Sequence, residues 1–270
     1  MNSAPPITFS FGANWQSFLE GLDARAVEAA IADTRTWLDD ADLAGRSVLD
    51  IGCGSGLGAL AISTRGPAAL ISFDADPRSV AATRSLWTRA GQPPAWQVLE
   101  GSVLDRTFLD ALAAGTPDGA GFAVVHSWGV LHHTGALWTA MDNAARLLMP
   151  GGVLWISLYA HGPHYARDLR LKQRYNAAGR FGKWAIARCF VLRIMLLRLR
   201  HRQNPFAWSG AKARGMDGWH DVLDWLGGLP YEVASIDEVV AWATRHGLVL
   251  TKVQAAAEGS CHVFRLRRPA

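Results

Sequence analysis

Asp50-Ile51-Gly52-Cys53-Gly54-Ser55-Gly56 sets a carboxylate just ahead of three glycines at alternate positions. Without a Cβ, such a backbone can pass within contact distance of a ligand. A carboxylate at that place attracts an amino group and repels a pyrophosphate. Asp74 lies twenty residues beyond Gly54, where a carboxylate can accept both hydroxyls of a ribose. Gly101-Ser102-Val103 follows a third apolar run and can flank a base, with Ser102 or a backbone amide at its edge. His132 and His133 stand together after a fourth run, and an imidazole titrating near neutrality can take a proton from an acceptor. Their other reading is a helix cap or a bond to a backbone carbonyl. Tyr159 and His161, beyond a fifth run, are candidates of the same kind, whereas His126 lies within its run and reads as a buried, satisfied histidine.

Short apolar runs of strand length carry these residues: Ser47 to Ile51, Leu70 to Phe73, Trp96 to Leu99, Phe122 to His126 and Val153 to Leu158. Helical patterns separate them: Ala24 to Leu38, Gly58 to Ser63, Pro77 to Ala90, Arg106 to Ala114 and Ala136 to Leu148. The alternation predicts an α/β fold, a doubly wound, mostly parallel sheet covered on both faces, and the continuous apolar runs suit buried central strands. Ser235 and Glu238 read as a capping box for a helix that Gly247 stops. Leu248 to Val253 and Cys261 to Leu266 then predict an antiparallel hairpin, for seven strands in all. The glycines place the ligand at the strand ends, where open parallel sheets bind. Gly54-Ser55-Gly56-Leu57-Gly58-Ala59 also fits the dinucleotide pattern G-x-G-x-x-A, and the glycines can make a tight turn and nothing more. Asp50 and the terminal strand pair argue against the dinucleotide.

VLDIGCGSG, Asp74, AVVHSWGVLHH and LLMPGGVLWISLY resemble, in order and separation, the motifs of class I S-adenosylmethionine-dependent methyltransferases. The similarity runs through most of residues 47–158 and returns at the C-terminal hairpin. It implies a Rossmann-like, seven-stranded methyltransferase fold with S-adenosylmethionine as cofactor. Asp50, Gly52, Gly54 and Gly56 would hold the methionine moiety, Asp74 with Ala75 the ribose, and Ser102 with Val103 the adenine; Ser127 and Trp128 would lie beneath the sulfonium. The fourth-strand stretch is also similar to that of quinone O-methyltransferases, in which acidic residues can bind a metal. Gly129 and His132 stand in those places, so no metal is expected. His161-x-x-His164 lacks acidic or cysteine companions and reads as loop.

The expected division is an N-terminal helical lid at 1–46, a cofactor-binding core at 47–159, a basic and aromatic insertion at 160–233 and a C-terminal helix and hairpin at 234–270. Phe9, Phe11, Trp15 and Phe18 crowd the N-terminus either as a lid or as ordinary helix packing, and Asn14 among them can bond cofactor or substrate. The net charge of +4 conceals an insertion that holds thirteen Lys or Arg against one acid, Asp168, between residues 160 and 215. Lys183 to Arg200 is apolar all round with interspersed arginines. That leaves three uses open: a helix clamped between lobes or protomers, as in a homodimer, an interfacial membrane helix, or a surface for an anionic substrate. GMDGWHDVLDWLGGLPYE reads as a substrate-facing loop, so Trp219, His220, Trp225 and Tyr231 join Phe11, Asn14, Trp15 and His161 as acceptor-binding candidates.

Three scattered cysteines argue against a disulfide framework or zinc ribbon, and the N-terminus lacks a signal-peptide pattern, so a cytoplasmic enzyme is expected. The leading function is methyl transfer to an O or N atom of a small molecule. The alternatives are a membrane-borne lipid, quinone or lipid-linked sugar, or RNA. RNA is disfavoured because Ser127-Trp128-Gly129-Val130 stands where an N-P-P-Y-type tetrapeptide would be and the basic run is interleaved with bulky apolar residues. A noncatalytic cofactor-binding scaffold is the remaining class.

Overall fold

A computed structural model describes residues 11–116, 119–209, 218–257 and 259–270; Phe9 and 215–217 of the expected acceptor loop lie outside them. Seven strands form one sheet: β1 Ser47–Ile51, β2 Ala69–Asp74, β3 Trp96–Glu100, β4 Phe122–Trp128, β5 Leu148–Tyr159, β6 Val249–Gln254 and β7 Cys261–Arg267. Their order is β3-β2-β1-β4-β5-β7-β6, with β7 antiparallel to both neighbours and the first five parallel, as the alternating pattern predicts. Helices α1 Phe11–Glu20, α2 Ala24–Trp37, α4 Leu57–Ser63, α5 Pro77–Arg89, α6 Arg106–Ala114, α7 Leu137–Arg146 and α11 Ile236–Arg245 surround it, with the short α3 Asp40–Leu43 before β1.

Local chemistry explains where these elements begin. Asp23, Asp76 and Asp105 cap α2, α5 and α6 by accepting backbone N–H bonds from Ala26, Arg78 and Phe108, and Pro77 opens α5 where its missing N–H costs nothing. The Ser235–Glu238 capping box is formed at α11, and Gly247 follows in the left-handed region at φ 66°. One side of the sheet packs a core from Leu49, Leu154 and Phe264 to Trp242; the other packs Val48, Val124 and Trp155 against Trp37.

β5 begins five residues earlier than its apolar run. Leu148 pairs with Phe122, the register slips, and Val153 pairs with Val124, so the extra residues are taken up as a bulge at Gly151 and Gly152. Gly151 has φ 75°, and a Cβ on Gly152 would stand 3.0 Å from the Phe122 carbonyl oxygen, which is why glycines occupy the bend.

Between β5 and α11 the chain forms α8 Tyr165–Ala177, α9 Arg180–Arg200, a 3-10 turn at Pro205–Ser209 and α10 Gly218–Gly227. The expected acceptor loop is therefore largely a helix. Val222 and Leu226, one turn apart, are buried against Tyr175, Ala187 and Val191, and this packing overrides the flanking glycines. No helix among the described residues is long and apolar enough to cross a membrane.

Candidate active site

A cavity of about 1100 Å³ opens at the C-terminal ends of β1, β2, β4 and β5, between the sheet, α1 and the inserted helices. Asp50, Gly52, Gly54, Asp74, Ala75, Ser102, Val103 and Trp128 line its sheet side. Asp50 and His126 are register partners on neighbouring parallel strands, so their side chains leave the same face and meet, Oδ1 to Nδ1, at 2.7 Å. Asp50 Oδ2 and His126 Nε2 are buried without a hydrogen-bond partner among the described residues.

The glycine bend is shaped by its neighbours as well as by a ligand. Gly52 has φ 75°, and a Cβ there would fall 2.4 Å from the Val130 side chain. Gly54, at φ 54°, lies beneath the Trp15 indole, whose Nε1 would stand 3.0 Å from an added Cβ. Asp74 Oδ2 accepts the Gly54 N–H at 3.0 Å and Oδ1 accepts the Asp76 N–H at 2.9 Å, tying the end of β2 to the bend. Burial pushes the Asp74 carboxyl up to about 6, its two N–H donors pull the other way, and neighbouring Asp76 and Asp50 add to the rise. Cys53 is no nucleophile, since burial and then Asp74 and Asp50 hold its thiol well above the usual range.

Helix α1 closes this end. Asp76 Oδ2 accepts the Gly12 N–H at 3.0 Å, and a Cβ on Gly12 would lie 2.4 Å from Ser79 N, so only glycine permits so close an approach to α5. Phe11 and Trp15 line the cavity, while Phe18 packs into the core with Leu57 and Leu86. Asn14 is turned away from the cavity and donates to the His220 carbonyl at 3.1 Å, joining α1 to α10.

The two histidines behave differently. His133 lines the cavity, with Nδ1 2.6 Å from the Pro230 carbonyl oxygen. A carbonyl only accepts, so Nδ1 carries the proton and Nε2 keeps a bare lone pair, buried and unpartnered among the described residues. Burial, with Lys172 adding to it, lowers its pKa to about 3. His132 is fully buried outside the cavity lining, where Nδ1 accepts the Tyr159 N–H at 3.3 Å and the ring packs 4.1 Å from that of Tyr159. Tyr159 does line the cavity, its hydroxyl held protonated chiefly by burial.

The remaining predicted residues scatter. Ser127 is fully buried and donates to the Ile51 carbonyl at 3.0 Å, bracing β4 on β1. Trp225 borders the cavity, Trp219 packs beneath Arg188, the His220 ring meets Phe18, and His161 is exposed beside Tyr165. Tyr231 joins Tyr159 and Trp225 around Lys172, which sequence reasoning missed. Its Nζ lies 5.1, 4.4 and 4.5 Å from the Tyr159, Trp225 and Tyr231 ring centroids and donates to the Trp225 carbonyl. Burial lowers the ammonium to about 7 and raises nearby Asp224 to about 7; each charge opposes the other's shift. Asp224 also lines the cavity, with Oδ1 buried and unpartnered among the described residues. A lysine in a basic helix gives no sign of burial in sequence. The tyrosines and tryptophan that cage it were visible there, and the cage uses faces assigned to the acceptor.

The donor set fits an aminoacyl nucleoside better than a dinucleotide. The sheet side offers three carboxylates, Asp50, Asp74 and Asp76, of which Asp50 keeps one buried oxygen without a partner among the described residues. Arg167, Arg193 and Arg198, the only cations among the described lining residues, come from the insertion. Among the described residues no group of three His, Cys, Asp or Glu stands ready for a metal.

A seven-stranded sheet of this order with a carboxylate-led glycine bend over its strand ends defines a Rossmann-like transferase that binds an adenosyl group. A family profile described as a methyltransferase domain matches residues 24–191. The chain belongs to that family and carries its methyltransferase domain. Ribosomal protein L11 methyltransferase of Erwinia tasmaniensis is 48% identical over 56 residues, 21% of this chain and 19% of that protein. The same enzyme of Aliivibrio salmonicida is 32% identical over 117 residues, 40% of each. The chain thus spans well under half the length of these relatives. Among solved structures, magnesium protoporphyrin IX methyltransferase from Synechocystis PCC 6803 with bound SAH superposes with a TM-score of 0.52 at 11% identity, over 90% of this chain and 82% of that one. The mitomycin 7-O-methyltransferase gives 0.50 at 15% identity, over 91% of this chain and 54% of the other.

Proposed function

We propose that the enzyme methylates an O or N atom of a small molecule held in the cavity between the glycine bend and the inserted helices, with His133 taking the acceptor's proton. The observation that carries this is the His133 tautomer: the Pro230 carbonyl fixes the proton on Nδ1, which leaves a neutral, desolvated Nε2 lone pair on a residue that lines the cavity. Bound S-adenosylmethionine supplies an electrophilic methyl group on a sulfonium. Asp50 Oδ2 accepts from the methionine ammonium, Asp74 accepts from the ribose hydroxyls in place of its present backbone donors, and Ser102 with Val103 flanks the base. Trp15 and Phe11 cover that end and exclude water. Tyr159, Trp225 and Asp224 border the acceptor side and align the nucleophile in line with the methyl group, a positioning effect worth about 7 to 11 kcal/mol in well-aligned systems.

Two other acceptors differ by where the methyl group ends. The ribosomal-protein relatives align with 20 to 45% of this chain, whereas the acceptor wall here is the inserted helices. A membrane-borne lipid, quinone or lipid-linked sugar is favoured by the exposed apolar residues of α9, whose inner side borders the cavity. Incubating the protein with methyl-labelled donor and cell extract, then separating small molecules, lipids, protein and RNA, tests the choice. Label in the polar small-molecule fraction, abolished by His133→Ala with S-adenosylhomocysteine affinity retained, is the expected result. Label confined to protein or RNA overturns the reading.

A further inference from the structure

Helix α9 has two unlike sides. Phe190, Ile194 and Leu197 face the cavity, and Ala187 and Val191 are buried against α8 and α10. On the opposite side Phe181, Trp184, Leu192, Leu196 and Leu199 form a single stripe along the helix, at steps of three, eight, four and three residues, with Arg188 midway in the two-turn gap. They are 80, 55, 55, 57 and 59% exposed, and Phe206 in the following 3-10 turn is 74% exposed. A patch of this extent on one helix marks a surface that something covers.

Charge identifies what covers it. Residues 160–209 hold eleven Lys or Arg and one acid, Asp168, which is buried and paired with Arg167 at 3.1 Å. Exposed Arg188 lies within the apolar stripe, and exposed Arg200 flanks it. Asp221 and Asp224 of α10 border the cavity instead of the outer face. A second copy packed symmetrically on this face would bring two sets of these guanidiniums together, and among residues 160–209 the one carboxylate, Asp168, is buried. An anionic lipid surface accepts both parts: the bulky side chains enter the headgroup boundary and the arginines meet phosphates. No helix among the described residues is long and apolar enough to cross, which suits contact in the surface plane.

We propose that the outer face of α9 with the Pro205–Ser209 turn is a docking surface for an anionic phospholipid membrane. Docking there leaves the cavity on the inner side of the same helix. The proposal is independent of the acceptor's identity.

Flotation of the full chain with vesicles of phosphatidylcholine alone, and of phosphatidylcholine with phosphatidylglycerol in equal parts, tests it. The expected result is capture by the anionic vesicles, weakening at high salt, with a blue shift of Trp fluorescence. Leu192→Glu, Leu196→Glu and Leu199→Glu together should lower capture by about tenfold or more at an unchanged melting temperature. Arg188→Glu with Arg200→Glu, which leaves the apolar residues intact, should abolish the preference for phosphatidylglycerol. Equal capture by both vesicle types, or a triple-leucine variant captured like the parent, overturns the proposal. So does a solution dimer that the triple variant splits while the parent floats with neither vesicle.

Discussion

The two walls of the cavity are held by opposite means. On the sheet side polar groups are met mainly by backbone: Asp74 takes the Gly54 and Asp76 N–H bonds, Asp76 takes Gly12 and Arg78, and Ser127 reaches the Ile51 carbonyl. Apart from the Gly12–Asp76 contact between α1 and α5, these follow from neighbouring strand ends or a helix cap. On the insertion side whole charges are buried between helices, with Lys172 in a cage of three aromatic rings and Asp224 close by. The sheet side is therefore held by local backbone contacts, while the insertion side is held by charged and aromatic side chains brought together from separate helices. This division agrees with a shared donor and an individual acceptor.

His133→Ala tests the junction of the two walls and carries the largest expected effect. Turnover should fall about 10²- to 10⁴-fold, the usual worth of a positioned base, while S-adenosylhomocysteine binds as before. Because His133 stays neutral above about pH 3, kcat should show no histidine limb near pH 6.5. Donor KM should instead rise as pH falls through about 6, where Asp74 takes up its proton. A kcat limb near pH 6.5 that disappears in His133→Ala would place that imidazole in water and end its role as a desolvated base.

The insertion side should yield the next largest effect. Lys172→Ala removes the centre of the aromatic cage and leaves Asp224 without its opposing charge, at an expected cost of about 2 to 4 kcal/mol in denaturant unfolding. Lys172→Met refills the cage and should cost less than half as much. Equal losses would mean that the charge, not the filled volume, holds the insertion together.

How legible each wall was follows from the same contrast. The sheet order, the glycine bend and Asp74 could be read because alternation and spacing are local signals. His126 reads in the sequence as a buried, satisfied histidine and is buried with Nδ1 bonded to Asp50; its partner follows only once β1 and β4 are known to be neighbours, because both side chains then point to one face. Gly12 gave no signal, because its reason is the backbone of α5, 64 residues away in sequence. Trp219, Trp225 and Tyr231 stood out as aromatic, but composition does not say that Lys172 occupies the faces of two of them. Helix α10 was hidden by its bounding glycines, since its stability comes from tertiary packing.

Smaller effects belong to the sheet side. Asp74 keeps its proton up to about 6 against an ordinary 3.8, so ionising it costs the fold as pH rises through that window, and the full cost applies above it. Asp74→Asn should therefore melt higher than the parent at pH 8, with no difference below about pH 4. Ser235→Ala, which breaks the α11 capping box far from the cavity, should cost about 1 kcal/mol and leave donor binding untouched.

Calorimetric titration of the purified chain with S-adenosylhomocysteine tests the sheet wall most directly. Saturable binding at one site, weakened at least about tenfold by Asp74→Ala and unchanged in Lys172→Met, is the result predicted for an adenosyl site built on β1 and β2. No heat with this nucleoside, together with saturable uptake of a pyridine dinucleotide, would contradict it.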